Sequence, residues 1–232
     1  MHAVTITNEF GQAISDDLGE WKPPDLPEHV TLTGRTVRLE PLQRSRHGIA
    51  LFHTFSFAED SLWTYMPLGP FDDAAEIGQL IDAMTRNRDS LGYAVVVGDE
   101  VHGMVSFLRI QPDIGVLEIG WIVFSPMIQG STVTTEAISL LLTHAFASGY
   151  RRVEWKCDAL NAKSRAAAER LGFQYEGTFR KATHYKGRNR DTAWFAMVDS
   201  DWDVNQRVLA KWLSLENFDA DGQQQTRLTD IV

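Results

Sequence analysis

Residues 116–137 read VLEIGWIVFSPMIQGSTVTTEA. An apolar strand, VLEIGWIVF, ends at Ser125-Pro126. A loop of small residues follows, and a helix begins near Thr134. In such a loop, backbone N–H groups converge on one spot, and the helix start adds the positive end of its dipole. Together they make a site for a phosphate or pyrophosphate. The plainer reading is a strand-to-helix turn with Thr134 or Thr135 as N-cap.

Working outward, the period of the apolar residues changes along the chain. Upstream, YAVVV (93–97) is a continuous apolar run that suits a strand buried on both faces. A GDE turn joins it to VHGMVSFLRI, its hairpin partner, and Asp113-Ile114-Gly115 turns again into 116–124. RTVRLEPL (35–42) alternates like a half-buried strand. Residues 45–57 are helix-compatible, and SLWTYMPLGPF (61–71) is an aromatic loop with two prolines. In 72–91, Ile77, Leu80, Ile81 and Met84 fall at helical spacing behind an acidic start. Downstream of the loop, Ile138, Leu141, Leu142 and Ala145 form one helical stripe ending at Gly149. RRVEWKCD is a strand, and NAKSRAAAERLGF is a helix closed by Gly172. FQYEGTFR and TAWFAMV are strands joined by a basic loop, and residues 200–215 form an amphipathic helix with Trp202, Val208, Leu209 and Trp212. The order predicts an α/β fold of mixed α+β character, a twisted mixed sheet of about six to seven strands with helices on both faces. The domain spans 34–215. Residues 1–33 form a wrapping arm, in which Phe10 and Trp21 dock on the body and WKPPDLPEH excludes helix. Residues 216–232 form a tail without structure.

Composition narrows the function. The 232 residues carry a net charge of −9, which opposes a general nucleic-acid or membrane surface. No apolar run approaches the ~20 residues of a membrane span, and MHAVTITNEF lacks the features of a secretory signal. Cys157 is the single cysteine, so a cysteine zinc site is excluded and a cytoplasmic location is expected. The histidines have no metal-ligand spacing, and no metal is expected. RKATHYKGRNR (180–190) is a basic patch, either a solvated hairpin loop or a contact for phosphates or an acidic substrate.

EWKCDALNAKSRAAAERLGF (154–173) is a second strand that turns into a helix, through Asn161 and Ser164. With 116–137, and in this order, it resembles the cofactor half of the GNAT superfamily of acetyl-CoA-dependent N-acetyltransferases. It looks closest to the ribosomal-protein N-terminal acetyltransferase branch. The resemblance covers roughly residues 33–200 and implies acetyl transfer from acetyl-CoA to a primary amine. The superfamily's phosphate loop reads Gln or Arg, two residues, Gly, one residue, then Gly or Ala. Here Gln129 holds the first place, while Thr132 and Thr134 stand where glycines are expected. Threonine takes space near the phosphates and adds hydroxyls that can bond them. Gln129, Gly130, Ser131, Thr132, Val133 and Thr134 are thus the expected phosphate contacts.

By the same resemblance, the backbone of Ile122, Val123 and Phe124 pairs with the pantetheine arm like an added strand. Asn161 binds the pantetheine or acetyl region, and Ser164 donates to the leaving thiolate. The bland role of both is helix capping. Many relatives place a tyrosine acid seven residues after the asparagine; here that residue is Ala168. Glu118, a lone carboxylate on an apolar strand, is the expected base. That role requires its carboxylate on the sheet face of the Gln129 loop; a carboxylate on the face away from that loop counts against it. His184 and Asp191 are lesser candidates, and Cys157 is expected to be a small buried hydrophobe. Trp63, Tyr65, Phe71 and Trp121 either line an acceptor pocket or pack in the core. The acceptor is a small-molecule amine or a peptide N-terminus, and a homodimer is possible. The alternatives are a non-catalytic acyl-CoA-binding sensor or scaffold, and a protein-interaction domain without ligand.

Overall fold

The computed structural model describes residues 5–15 and 17–231. At the N-terminus, β1 (Thr5–Thr7) and β2 (Ala13–Ser15) form a separate antiparallel hairpin. Phe10, expected to dock, is instead 76% exposed. Trp21 does dock. Its indole N–H donates to the Gly149 carbonyl at 3.2 Å, and the Arg151 guanidinium lies over its ring. Tyr150 donates to the Asp25 carbonyl nearby. The prolines between these anchors hold the arm extended.

The main sheet comprises β3 (Leu32–Thr33), β4 (Arg38–Pro41), β5 (Leu91–Val97), β6 (Glu100–Gln111), β7 (Val116–Phe124), β8 (Arg152–Asp158), β9 (Gln174–Tyr185) and β10 (Arg188–Val198). Its eight strands run β3-β4-β5-β6-β7-β8-β10-β9. The eighth, β3, lies in the segment read as arm. Only β7 and β8 are parallel, and a parallel pair needs a crossover. The helices are α1 (Arg44–Ser56), α2 (Ala74–Arg86), α3 (Thr132–Ala147), α4 (Ala162–Arg170) and α5 (Asp199–Leu213), and α3 makes that crossover.

Two cores flank the sheet. On one face, Leu51 and Phe55 of α1 and Ile77 and Ile81 of α2 pack on Ala94, Val96, Met104 and Val123. On the other, Ile138 and Leu141 of α3, Ala168 of α4 and Leu209 of α5 pack on Val95, Leu117, Ile119, Val153 and Phe195. Helices thus cover both faces, as the apolar periods require. The C-terminal tail corrects the expectation of disorder. Leu228 is buried in the second core, and the Asn217 side chain donates to the Trp212 and Thr226 carbonyls. One buried leucine and a satisfied amide are enough to hold a polar segment that composition alone leaves unanchored.

The central strand is irregular where it matters. β7 carries one residue more than β6 between the Gly120↔Ser106 and Val123↔Met104 pairs. This bulge puts Trp121 at φ +49° and switches the alternation, so Ile122 and Phe124 face the α3 side after it. Gly103 lies opposite Phe124 in close contact with the Val123 carbonyl, at a φ of +155°; a Cβ there would strike that backbone.

Candidate active site

β7 and β8 pair from Val116↔Arg152 to Ile119↔Trp155 and no further, although β7 runs on to Phe124 and β8 to Asp158. The two strands therefore form a fork. Along its open part, Ile122, Val123 and Phe124 present backbone with no partner strand on the β8 side. This is the edge that sequence expected to receive pantetheine.

Beyond the fork lies the loop to α3. Gly130 takes a φ of +70° with open space around its α-carbon. Gln129 donates its side-chain amide to the Phe124 carbonyl at 2.8 Å, so it braces the loop. The N-cap of α3 is Ser131, not Thr134 or Thr135, and its hydroxyl donates to the Ile128 carbonyl rather than capping the helix. No side chain caps the first turn among the described residues, which leaves the N–H groups of Thr132, Val133 and Thr134 for solvent or a ligand. The Thr134 hydroxyl donates to the Ser131 carbonyl and the residue is buried; it is spent on structure, while Thr132 stays half-exposed.

Asn161 is the N-cap of α4, accepting from the Ser164 N–H at 3.1 Å. Ser164 Oγ accepts the Trp155 indole N–H at 3.0 Å. Trp155 is the last β8 residue in register with β7, so the Ser164 hydroxyl stands over the closed end of the fork, on the α3 and α4 side. Its own proton is not used by Trp155, and the sulfur of Cys157 lies within its reach. Cys157 is buried beside it, and burial pushes the thiol pKa up, with a hydrogen bond to Ser164 a smaller opposing influence. Ala168 is fully buried in the core.

Glu118 is the residue before the last β7 pair. Its neighbours Leu117 and Ile119 pack towards α3, so its carboxylate points to the opposite face, away from the Gln129 loop. The shared face expected from sequence is thus corrected. On that face the carboxylate stands where β7 and β8 part, and it meets Lys156 across the two strands. Glu118 is 5% exposed and ion-paired with Lys156 Nζ at 2.8 Å. Arg109 Nη1 lies 3.6 Å away and also bonds Glu154 at 2.8 Å. Burial pushes the Glu118 carboxyl up, and Lys156 and Arg109 oppose that. The Trp194 ring covers both cations, with Lys156 Nζ at 4.7 Å and Arg109 Cζ at 5.1 Å from its centre. Sequence singled out neither Lys156, Arg109 nor Trp194. Alternation on β8 and β10 could have placed Lys156 and Trp194 on one face, but not their registers against β7.

The remaining candidates lie on the β9–β10 hairpin and the α1–α2 connection. The basic patch is not a loop: β9 and β10 run to Lys186-Gly187, a two-residue turn with φ of +49° and +70°. Lys186 and Arg188 donate to the Trp63 and Thr64 carbonyls, clipping the hairpin to the α1–α2 connection. Asp191 accepts the Lys181 N–H within the hairpin, and His184 is exposed on it. Trp63 packs edge-on between Phe55 and Phe71 in the core. A cavity of about 980 Å³ between α1 and the ends of β4–β6 reaches the loop only at Ser125, Pro126 and Met127 and contains none of the fork residues.

Among the described residues, no helix is long and apolar enough to cross a membrane. No three His, Cys, Asp or Glu side chains among them are grouped to hold a metal ion. A ribosomal-protein-serine acetyltransferase of Escherichia coli (strain K12) is 34% identical over 102 residues, 43% of this chain and 56% of that protein. The chain spans about half the length of the curated relatives it matches. A solved structure, a GCN5-related N-acetyltransferase from Brucella melitensis, superposes with a TM-score of 0.89 at 40% identity. That match covers 92% of this chain and 99% of that one. Residues 36–174 match the acetyltransferase (GNAT) domain family; the chain belongs to that family.

Proposed function

We propose that the protein transfers an acetyl group from acetyl-CoA to the terminal amine of a peptide or protein. The observation that carries this reading is the fork. Its closed end is bordered by a hydroxyl donor, Ser164, on one face and a buried carboxylate, Glu118, on the other. Its open end leads to an uncapped helix start. The pyrophosphate would meet the N–H groups of Thr132, Val133 and Thr134, with the Thr132 hydroxyl beside them, and the pantetheine would pair with the Ile122–Phe124 edge, on which Gln129 already occupies the Phe124 carbonyl. Asn161, whose carbonyl caps α4, keeps its amide for the same arm.

The acceptor enters from the opposite face, where among the described residues α1 and α2 pack on β5 and β6 and leave the Trp194–Phe179 pair uncovered. An open face admits a chain end, and the E. coli relative is named for a ribosomal-protein serine. The neutral amine attacks the thioester carbonyl. Glu118 takes the amine proton through water, and Ser164 gives its proton to the departing sulfur as the carbon–sulfur bond breaks. A cytoplasmic site fits one free, buried cysteine. A homodimer would cover Ile6, Phe10 and Ile14, which the N-terminal hairpin leaves exposed.

The test is acetyl-CoA turnover on peptides with a free N-terminal serine. Glu118→Gln keeps shape and removes the base, and lowers the rate by roughly 10²-fold or more. Coenzyme A binding without turnover on any amine would overturn catalysis in favour of a non-catalytic acyl-CoA sensor.

A further inference from the structure

We infer that Lys156 is a positioning residue: it clasps the fork at its closed end and holds the Glu118 carboxylate as the anion a base requires. This rests on the role proposed for Glu118. Lys156 is the first β8 residue past the last pair with β7, and Glu118 is the β7 residue just before it. Their 2.8 Å ion pair therefore crosses the two strands where they part. The Glu118 side chain is 7% exposed and that of Lys156 20%.

The charged groups that face Glu118 are few. From β8 come Lys156 and Glu154; from β6 comes Arg109; β10 contributes the uncharged Trp194. Arg109 is the weaker partner. It stands 3.6 Å from Glu118 and is committed to Glu154 at 2.8 Å. Glu154 repels the Glu118 charge. Lys156 is thus the one cation at hydrogen-bond distance from Glu118 among the described residues. Trp194 backs its ammonium from the other side, a cation–π contact that keeps the stem from swinging into solvent. A buried base that must be ionised needs such a neighbour.

The experiment follows the carboxyl itself and then the rate. Glutamate labelled with carbon-13 at its carboxyl is titrated by NMR, with Glu118→Gln assigning the signal. Lys156→Met moves the Glu118 midpoint upward by roughly 1–3 pH units. The acid limb of kcat/KM, on a peptide with an N-terminal serine, moves up with it while the rate recovers at high pH. Lys156→Arg restores both. In the Glu118→Gln background, Lys156→Met has no further effect on the rate. A thermal shift with coenzyme A shows that each variant is folded, and Lys156→Gln replaces Lys156→Met if the latter is not. An unmoved midpoint and limb in a folded Lys156 variant overturn the inference. If Glu118→Gln leaves the rate and the limb intact, the base reading fails instead, while the NMR midpoint still reports whether Lys156 controls the carboxyl.

Discussion

Replacing Ser164 with alanine separates chemistry from structure. Its oxygen accepts the Trp155 indole N–H at 3.0 Å, and its proton, for which Cys157 is the other neighbour, is the one proposed to go to the departing sulfur. A hydrogen bond to a charged group contributes about 1.5–3 kcal/mol. At about 1.4 kcal/mol per factor of ten, Ser164→Ala lowers kcat roughly 10- to 140-fold. The acetyl-CoA dissociation constant changes much less, because the bond is made mainly in the transition state. The substitution also strips the acceptor from an indole N–H whose residue is 4% exposed. That costs about 1–3 kcal/mol of stability. The melting temperature of a chain this size falls by about 2–4 °C per kcal/mol, or about 2–12 °C in all. Thiol release under saturating acetyl-CoA gives kcat, calorimetry gives the dissociation constant, and a thermal scan gives Tm. A lowered Tm with unchanged kcat would refute the acid role and leave Ser164 as the partner of Trp155 alone.

Two further outcomes test other parts of the argument. Saturating coenzyme A, at ~100 times its dissociation constant, stabilises the parent by about 2.7 kcal/mol. Thr132→Glu places a carboxylate at the helix start and abolishes that shift; an undiminished shift would move the phosphate site elsewhere. Burial lowers the pKa of His47 and His144 below the ordinary 6.5. Well above pH 6.5 both are neutral in either state and cost nothing. As pH falls below 6.5 the unfolded chain binds protons that the fold refuses, so stability declines until the lowered folded values are reached. His47→Gln or His144→Gln flattens that decline in denaturant melts taken from pH 7 to pH 5; a decline unchanged in both variants would place its source in other groups.

The local elements were written in the sequence because they depend on short-range periods. The continuous run at 93–97, the helical stripe from Ile138 to Ala145 and the stop at Gly172 each declared a strand, a helix and an end. Gln129, Asn161 and Ser164 could be placed at turns because the strand-to-helix order on both sides was legible. What sequence left open was set by contacts between distant segments. The fork exists because β7 and β8 lose register after Ile119 and Trp155, and no local pattern marks where two strands separated by a helix stop pairing. The bulge at Trp121 changes which side chains face α3, and a pure alternation cannot foresee an inserted residue. Composition made the tail look free, but Leu228 finds a core lined by residues far away in the chain. The same holds for Glu118. Sequence identified it as a lone carboxylate on an apolar strand, and only the tertiary pairing of β7, β8 and β10 brought Lys156 and Trp194 against it and fixed its face, because burial and charge are properties of neighbours in space.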